Sequence, residues 1–464
     1  MILMTMRMAK THKSCIEKEE GFVSKTKKLR CVDLVAISSG QVIGAGVVSM
    51  IGTAITCTGM SAWLAYGAAI VVGFLSIIPF ILISSTVMLK GGEYTIVANM
   101  LNEKAAGFYA ISYIAQCLSL SVMGTSLAGY VTSIFPNVNG ILVGLLALTF
   151  FFLLNLAGVK VMANVQKPLT AVLLICLLIF GFYGMTHVSS AVFQVSAPGF
   201  FSEGYEGFAA AISVYAFSTY GQYMVMNFGK DAENPTRDVP IAIMATTAII
   251  FVVYVSVAIV NCGVLPIEEV AGKPLTLTAK RIFGAFFPLF IIGGPAMALL
   301  TTMNAQFGSR STPLLKATLD GWFPAKIGKV NSKNVPYIIM ALIYLVGIIP
   351  ICAGLSIKTI SNNLALIGYL SRAIAAIAIV RLPKKMPEEW KRSFLHMPDG
   401  VFYGVMAISF AANIYMVYIG AKGLPIEILG INLVFIIACG IYAVVRFNSG
   451  KVTVDKTLKL EREE

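Results

Sequence analysis

The sequence predicts an all-α polytopic membrane protein with twelve transmembrane helices. Three observations carry that expectation. Of the 464 residues, 57% are apolar and only 12% are charged, whereas about a quarter of an ordinary soluble domain is charged. Apolar stretches of about 17 to 27 residues, enough to cross a ~30 Å hydrocarbon core at 1.5 Å per residue, recur along the whole chain. Lys and Arg gather on one side of the implied barrier, as they do in membrane proteins whose cytoplasmic loops hold the positive charge.

Taken in order, residues 1–30 are rich in Lys and lack a small-residue cleavage site after an apolar core, so they are expected to be a cytoplasmic tail rather than a signal peptide. The spans follow at 31–56, 63–89, 107–135, 139–157, 165–186, 205–229, 240–263, 282–308, 335–354, 359–382, 399–421 and 424–446. Lipid offers backbone groups no water, so each span must be helical or shielded inside a bundle. With the N-terminus inside, 29 of the 35 Lys and Arg fall on the cytoplasmic side, five of them after span 8, beginning with Arg310. Lys273, Lys280, Arg281, Lys358 and Lys422 fall outside, and Arg372 alone lies well within a span. An even number of spans then places both termini in the cytoplasm, in a plasma membrane or, in a bacterium, its inner or cell membrane. The formal charge of +13 is therefore a topology signal, and nucleic acid is excluded as a partner.

Cys15, Cys31, Cys57, Cys117, Cys176, Cys262, Cys352 and Cys439 show no paired spacing and read as small core residues. His12, His187 and His396 lie in the tail or at span ends. No metal constellation or nucleophilic triad can be assembled within the membrane, so neither an enzyme nor a cofactor is expected.

Span 1 carries "GQVIGAGV", Gly40 to Val47. Each glycine inside a helix costs about 1 kcal/mol against alanine. Close packing of membrane helices is one explanation. A dinucleotide motif is not, because GxGxxG needs a preceding strand and a third glycine where Ser49 stands. Span 6, the most polar of the twelve, places Gly221 among Ser218, Thr219, Tyr220, Gln222 and Tyr223, 177 residues after Gly44. Spans 1 and 6 would begin two five-span units, which an odd number of crossings inserts with opposite topology. Interrupted segments at matching positions in two such halves point to a midplane binding site. An unwound turn frees amide donors at the start of the next half-helix for an anion, and carbonyls at the end of the preceding one for a cation. A zwitterionic amino acid supplies both charges.

At these residues the chain resembles the amino acid–polyamine–organocation (APC) permease superfamily over nearly its full length. "SSGQVIGAGV" is similar to that family's span 1 break, "KGGEYTIVANML" to its segment after span 2, and "NLAGVKVMANVQ" to its stretch after span 4. "DAENPTRDVPIAI" is similar to its connection between spans 6 and 7, and "LDGWFPAKIGKVNSKNVP" to its loop after span 8. The resemblance implies a leucine-transporter-like fold, an inverted 5+5 helix repeat plus two further helices, working by alternating access. The expected organisation is a tail over 1–30, repeats over 31–186 and 205–382, helices 11 and 12 within 399–446, and a cytoplasmic tail over 447–464. From the residues themselves, Asn234-Pro235 and Asp238-Val239-Pro240 separate spans 6 and 7, with Asp238 a candidate N-cap. Gly91-Gly92 ends span 2, and the following "EYTIVANML" is expected as an amphipathic segment at the inner interface.

Two departures matter. Many members carry a carboxylate after the span 6 aromatic-x-Gly-aromatic element, where this chain has Ser218-Thr219-Tyr220-Gly221-Gln222-Tyr223. Several carry a lysine in span 5 where counting from Asn155 reaches Leu173. A fixed positive charge there would stand in for a coupling cation, so its absence leans towards exchange or facilitated transport.

The candidate substrate-binding residues are Gln41, Val42, Gly44, Ala45, Gly46, Gln116, Phe217, Ser218, Tyr220, Gly221 and Gln306. Amides around Gly44, Ala45 and Gly46 are expected to hold the α-carboxylate, and carbonyls near Phe217, Ser218 and Tyr220 the ammonium. Gln306 falls near a pocket position in the resembling family, and Phe217 is either a lid or a core aromatic. Gln116, Ser119, Ser121 and Asn304 serve interhelical hydrogen bonding as readily as substrate contact. Arg372 either snorkels to the inner interface or makes an interior ion pair or anionic-substrate contact. The function expected is an amino acid permease, leaning to exchange, with an amine or polyamine exchanger, a proton symporter and a non-transporting nutrient sensor as alternatives. Its partners are a small amino acid and the lipid bilayer.

Overall fold

The computed structural model describes residues 28–219, 221–354, 357–422 and 424–454, and these are helical throughout apart from short connections and one isolated bridge between Leu29 and Ala232. Among them eight helical stretches are long and apolar enough to cross a membrane, and three shorter apolar helices, Gly140–Leu156, Tyr337–Cys352 and Asn363–Ile379, accompany them. The outer helices Asp399–Lys422 and Ile426–Asn448 turn large apolar side chains outward, among them Ile408, Tyr418, Ile431 and Val434, as lipid contact requires.

The first crossing is divided. Helix α1 (Cys31–Val42) ends at Ile43, and α2 (Ala45–Ser49) resumes after Gly44. Met50 is itself right-handed helical, so α2 runs on into α3 (Ile51–Thr58). Helix α4 (Ala62–Thr86) follows, then α5 (Gly92–Met100), α6 (Glu103–Gln116), α7 (Ser119–Ile134), α8 (Gly140–Leu156) and α9 (Val159–Met185). The second division separates α10 (Gly204–Ala216) from a 3₁₀ segment over Gln222–Asp231. At 13 residues, α10 spans only ~20 Å and cannot cross by itself. Helices α11 (Pro235–Gly263) and α12 (Met297–Leu319) complete the surroundings of the breaks.

Helix α1 occupies the centre, against α9, α11 and α12, with Leu34, Ile37, Ser38 and Ser39 fully buried. Lipid tails supply no hydrophobic drive between helices, so polar side chains join them. Ser38 Oγ donates to the Gln222 carbonyl (3.0 Å), and Asn155 and Gln166 bracket Asn304 at 3.0 and 2.7 Å. Asn304 is thus an interhelical tie rather than a substrate contact. Leu29 exchanges backbone bonds with Asp231 and Glu233 at 2.7 and 2.9 Å, fastening the entry to α1 onto the exit from the second break.

Several expectations are corrected. The N-cap position of α11 is Asn234, not Asp238, because Pro235 has its φ already set for the first helical position. Asp238 lies in the first turn, where its charge complements the helix dipole. The segment after Gly91 is not amphipathic at an interface: α5 is buried almost throughout. Its Tyr94 hydroxyl donates to Asp320 Oδ2 and accepts from Trp322 Nε1, both at 2.8 Å, so two of the family-like stretches interlock as structure. Span 3 divides at Cys117 and Leu118 into α6 and α7, and span 8 continues eleven residues past 308 to Leu319. Arg372 does not snorkel, since it is fully buried, with its guanidinium 3.8 Å from the Tyr369 ring centre and 5.8 Å from that of Tyr223.

Candidate functional site

The two breaks meet. A Cβ placed on Gly46 would lie 2.0 Å from Ser218 Cβ and 2.9 Å from Ser218 Cα, so the start of α2 lies directly on the end of α10. On the other side Gly221 faces Val42 and the Gln41 carbonyl at ordinary contact distance. Between them opens a cavity with about 400 Å³ of space free of protein atoms, part of it open to solvent.

Eight of the eleven candidate residues line this cavity: Gln41, Val42, Gly44, Gly46, Phe217, Ser218, Gly221 and Gln306. Ala45 contributes backbone between two of them, at the first position of α2. Tyr220 lies outside the described residues. Gln116 is buried at the end of α6 but is not in the lining, and its Nε2 has no hydrogen-bond partner among the described residues. Past the division of span 3, Ser119 and Met123 of α7 reach the cavity instead.

The broken backbone is held by side chains. Thr302 Oγ1 on α12 lies 2.9 and 3.1 Å from the Gly40 and Ile43 carbonyls and 2.8 Å from the Ala298 carbonyl of its own helix, so its single proton serves one of the three at a time, and the Tyr254 hydroxyl donates to the Val42 carbonyl at 2.9 Å. The Val42 carbonyl at the end of α1 therefore already has a donor. The first amides of α2 are donors that helix geometry leaves without an intrahelical acceptor, and they open at Gly44 onto the cavity. At the second break Ser218 Oγ donates back to the Tyr215 carbonyl (2.8 Å), and Tyr66 Oη lies 2.9 Å from the same hydroxyl. Tyr66 stacks on Tyr215 with ring centres 3.7 Å apart, which fixes the approach of α10. Phe217 is half-buried at the rim.

The far wall was not legible in the apolar pattern. Gln41 Nε2 donates to Ser309 Oγ (2.8 Å), and Ser119 Oγ donates to Gln306 Oε1 (2.6 Å). Arg310, assigned by its place after span 8 to the inner loop, is 4% exposed and lines the cavity, so Arg372 is not the sole interior basic residue. The apolar run stops at 308, but α12 does not, and that continuation places Arg310 inside. Met224 and Thr302 complete the lining.

Beside the cavity sits a buried carboxylate. Glu93, on α5, accepts from the Tyr109 and Tyr113 hydroxyls of α6, from Tyr223 (3.1 Å) and from Asn227 Nδ2 (3.5 Å) of the 3₁₀ segment. Four donors thus converge on the two oxygens of one carboxyl group and tie α5, α6 and the 3₁₀ segment together. The Glu in "KGGEY" was the only available signal, and its burial could not be read from the sequence.

Comparison with known proteins agrees with this architecture. The sequence model of the amino acid permease family matches residues 29–448. A branched-chain amino acid permease of Bacillus subtilis is 22% identical over 407 residues, covering 82% of this chain and 86% of its own. A methylthioribose transporter of the same organism is 22% identical over 396 residues, covering 79% and 83%. Chloroplastic cationic amino acid transporter 9 of Arabidopsis thaliana is 24% identical over 335 residues, covering 66% and 58%.

Proposed function

The chain belongs to the amino acid permease family, and from that premise we propose that it carries a small amino acid across the plasma membrane by alternating access, as an exchanger. The observation that carries this reading is the meeting of two interrupted helices at one cavity. Amides at Gly44, Ala45 and Gly46 receive the α-carboxylate, where α2 begins and runs on into α3. The ammonium turns to the carbonyls at the end of α10, near Phe217, Ser218 and Tyr220. Two inverted repeats, 31–186 and 205–382, rock about this site, with the 399–446 helices alongside and both termini in the cytoplasm.

The relatives are named for branched-chain amino acids, cationic amino acids and methylthioribose, so family membership leaves the solute open. Exchange is favoured by Leu173, which is fully buried and offers no fixed positive charge in place of a coupling cation. Uptake of labelled amino acids into proteoliposomes tests the reading. Uptake that depends on amino acid loaded inside, and is indifferent to a proton gradient, is expected. Gradient-driven uptake into empty vesicles would assign proton symport instead, and binding without uptake would assign a sensor.

A further inference from the structure

We propose that Arg310 forms a second carboxylate subsite in the cavity, so that the preferred solute is an acidic amino acid and cationic amino acids and polyamines are excluded. This rests on the transport reading above and names its substrate class.

Arg310 is 4% exposed and lines the cavity. A guanidinium is a planar cation whose forked N–H groups match a carboxylate. Only Nη2 is engaged, donating to Ser119 Oγ at 2.9 Å. The Ser119 hydroxyl proton is already directed at Gln306 Oε1, so this oxygen is free to accept, and the arrangement is internally consistent. Nε and Nη1, which carry three N–H bonds, are buried with no hydrogen-bond partner among the described residues. No carboxylate lies within ion-pair distance of Arg310 among the described residues. The buried carboxylate of Glu93 is taken up by Tyr109, Tyr113, Tyr223 and Asn227, and Arg310 faces the ring of Tyr113, 6.0 Å from its centre.

A buried charge without a counter-charge is costly, and the cost is recovered only when an anion arrives. The α-carboxylate is assigned to the other end of the cavity: Gly44 faces Thr302, which stands two turns, ~12 Å along α12, before Arg310. Both positions line the same cavity, and because an acidic amino acid is much shorter than this separation, its second carboxylate meets Arg310 where the guanidinium extends on its long side chain toward the break, while the first remains at Gly44. A lysine side chain or a polyamine would meet an unneutralised guanidinium, which selects against it.

The test uses the purified full-length chain, with ligand-dependent thermal stabilisation and proteoliposome uptake as readouts and L-glutamate, L-aspartate, L-glutamine, L-leucine, L-lysine and putrescine as probes. Glutamate or aspartate is expected to act at a concentration at least tenfold below glutamine, with lysine and putrescine inert. In R310Q the glutamate-to-glutamine preference should fall at least tenfold, and R310K should restore part of it by returning the charge. Should R310Q fold poorly, the wild-type ranking of probes stands as the test. Lysine or putrescine acting as well as glutamate, or a preference unchanged in R310Q, overturns the assignment of Arg310 alone. Failure of every amino acid, neutral ones included, overturns the amino acid reading itself and this subsite with it.

Discussion

The two interruptions use glycine for different reasons. At the first, Gly44 has φ −139°, a value open to any residue, and the glycines are required by proximity: Thr302 Oγ1 would lie 2.7 Å from a Cβ at Gly44, and Ser218 Cβ 2.0 Å from one at Gly46. At the second, Gly221 has φ +132°, which side chains rarely adopt, while a Cβ there would meet nothing nearer than 3.5 Å. The first break is a contact surface and the second a conformational joint. They are also secured differently. Hydroxyls of Thr302 and Tyr254 hold the backbone of the first, whereas the 3₁₀ segment after the second is tied through Tyr223 and Asn227 to Glu93. Identical residue types at matching positions therefore do not imply identical roles.

The sharpest way to break this comparison is Gly46→Leu. Ser218 backbone stands in the way, so uptake should be abolished, with inserted protein still detectable in the membrane and stability lowered by roughly 1–3 kcal/mol of overpacking, read in thermal unfolding. Normal uptake would refute the contact. Glu93→Gln comes next, since it replaces an acceptor by a donor among four donors and should cost about 2–3 kcal/mol in thermal unfolding, with loss of uptake. A stability unchanged by that variant would detach the second break from its tyrosine cage.

Two alanine variants separate the causes. Gly221→Ala should lose about 1–2 kcal/mol from φ strain, and no neighbour's truncation should restore it. Gly44→Ala should be relieved by adding Thr302→Ala, because its obstacle is that hydroxyl, and a double-mutant cycle reads the coupling directly. Additive losses would contradict the assignment of Gly44 to contact. The smallest effect is expected at Gly129 of α7, where a Cβ meets nothing within 4 Å: Gly129→Ala should leave uptake unchanged and raise stability by up to about 1 kcal/mol of helix propensity.

Much of this was present in the chain order. Hydropathy marked the membrane helices, and "GQVIGAGV" and "STYGQY" marked both breaks, because a glycine-rich or polar run inside an apolar span has few other uses. Of the eight lining residues found in advance, seven lie at those breaks and Gln306 lies on α12. Of the remaining wall, Ser119 was readable as a polar residue serving hydrogen bonding as readily as substrate contact, Met123, Met224 and Thr302 look ordinary in their own spans, and Arg310 falls past the end of the apolar run. Asp238, read as a cap, was overtaken by Pro235, whose ring sets the helix start by local geometry alone.

By itself, then, the sequence determined a helical membrane protein of the permease type and the places where two of its helices part, since backbone hydrogen bonding and transfer from water are properties of short segments. Tertiary structure decided that Arg310 lies inside rather than in a loop, that Glu93 is caged by tyrosines, and which glycine is spared a side chain by contact and which by φ. Those outcomes depend on desolvation and on partners more than a hundred residues away, such as Ser119 for Arg310 and Tyr223 for Glu93, and a one-dimensional pattern does not contain that information.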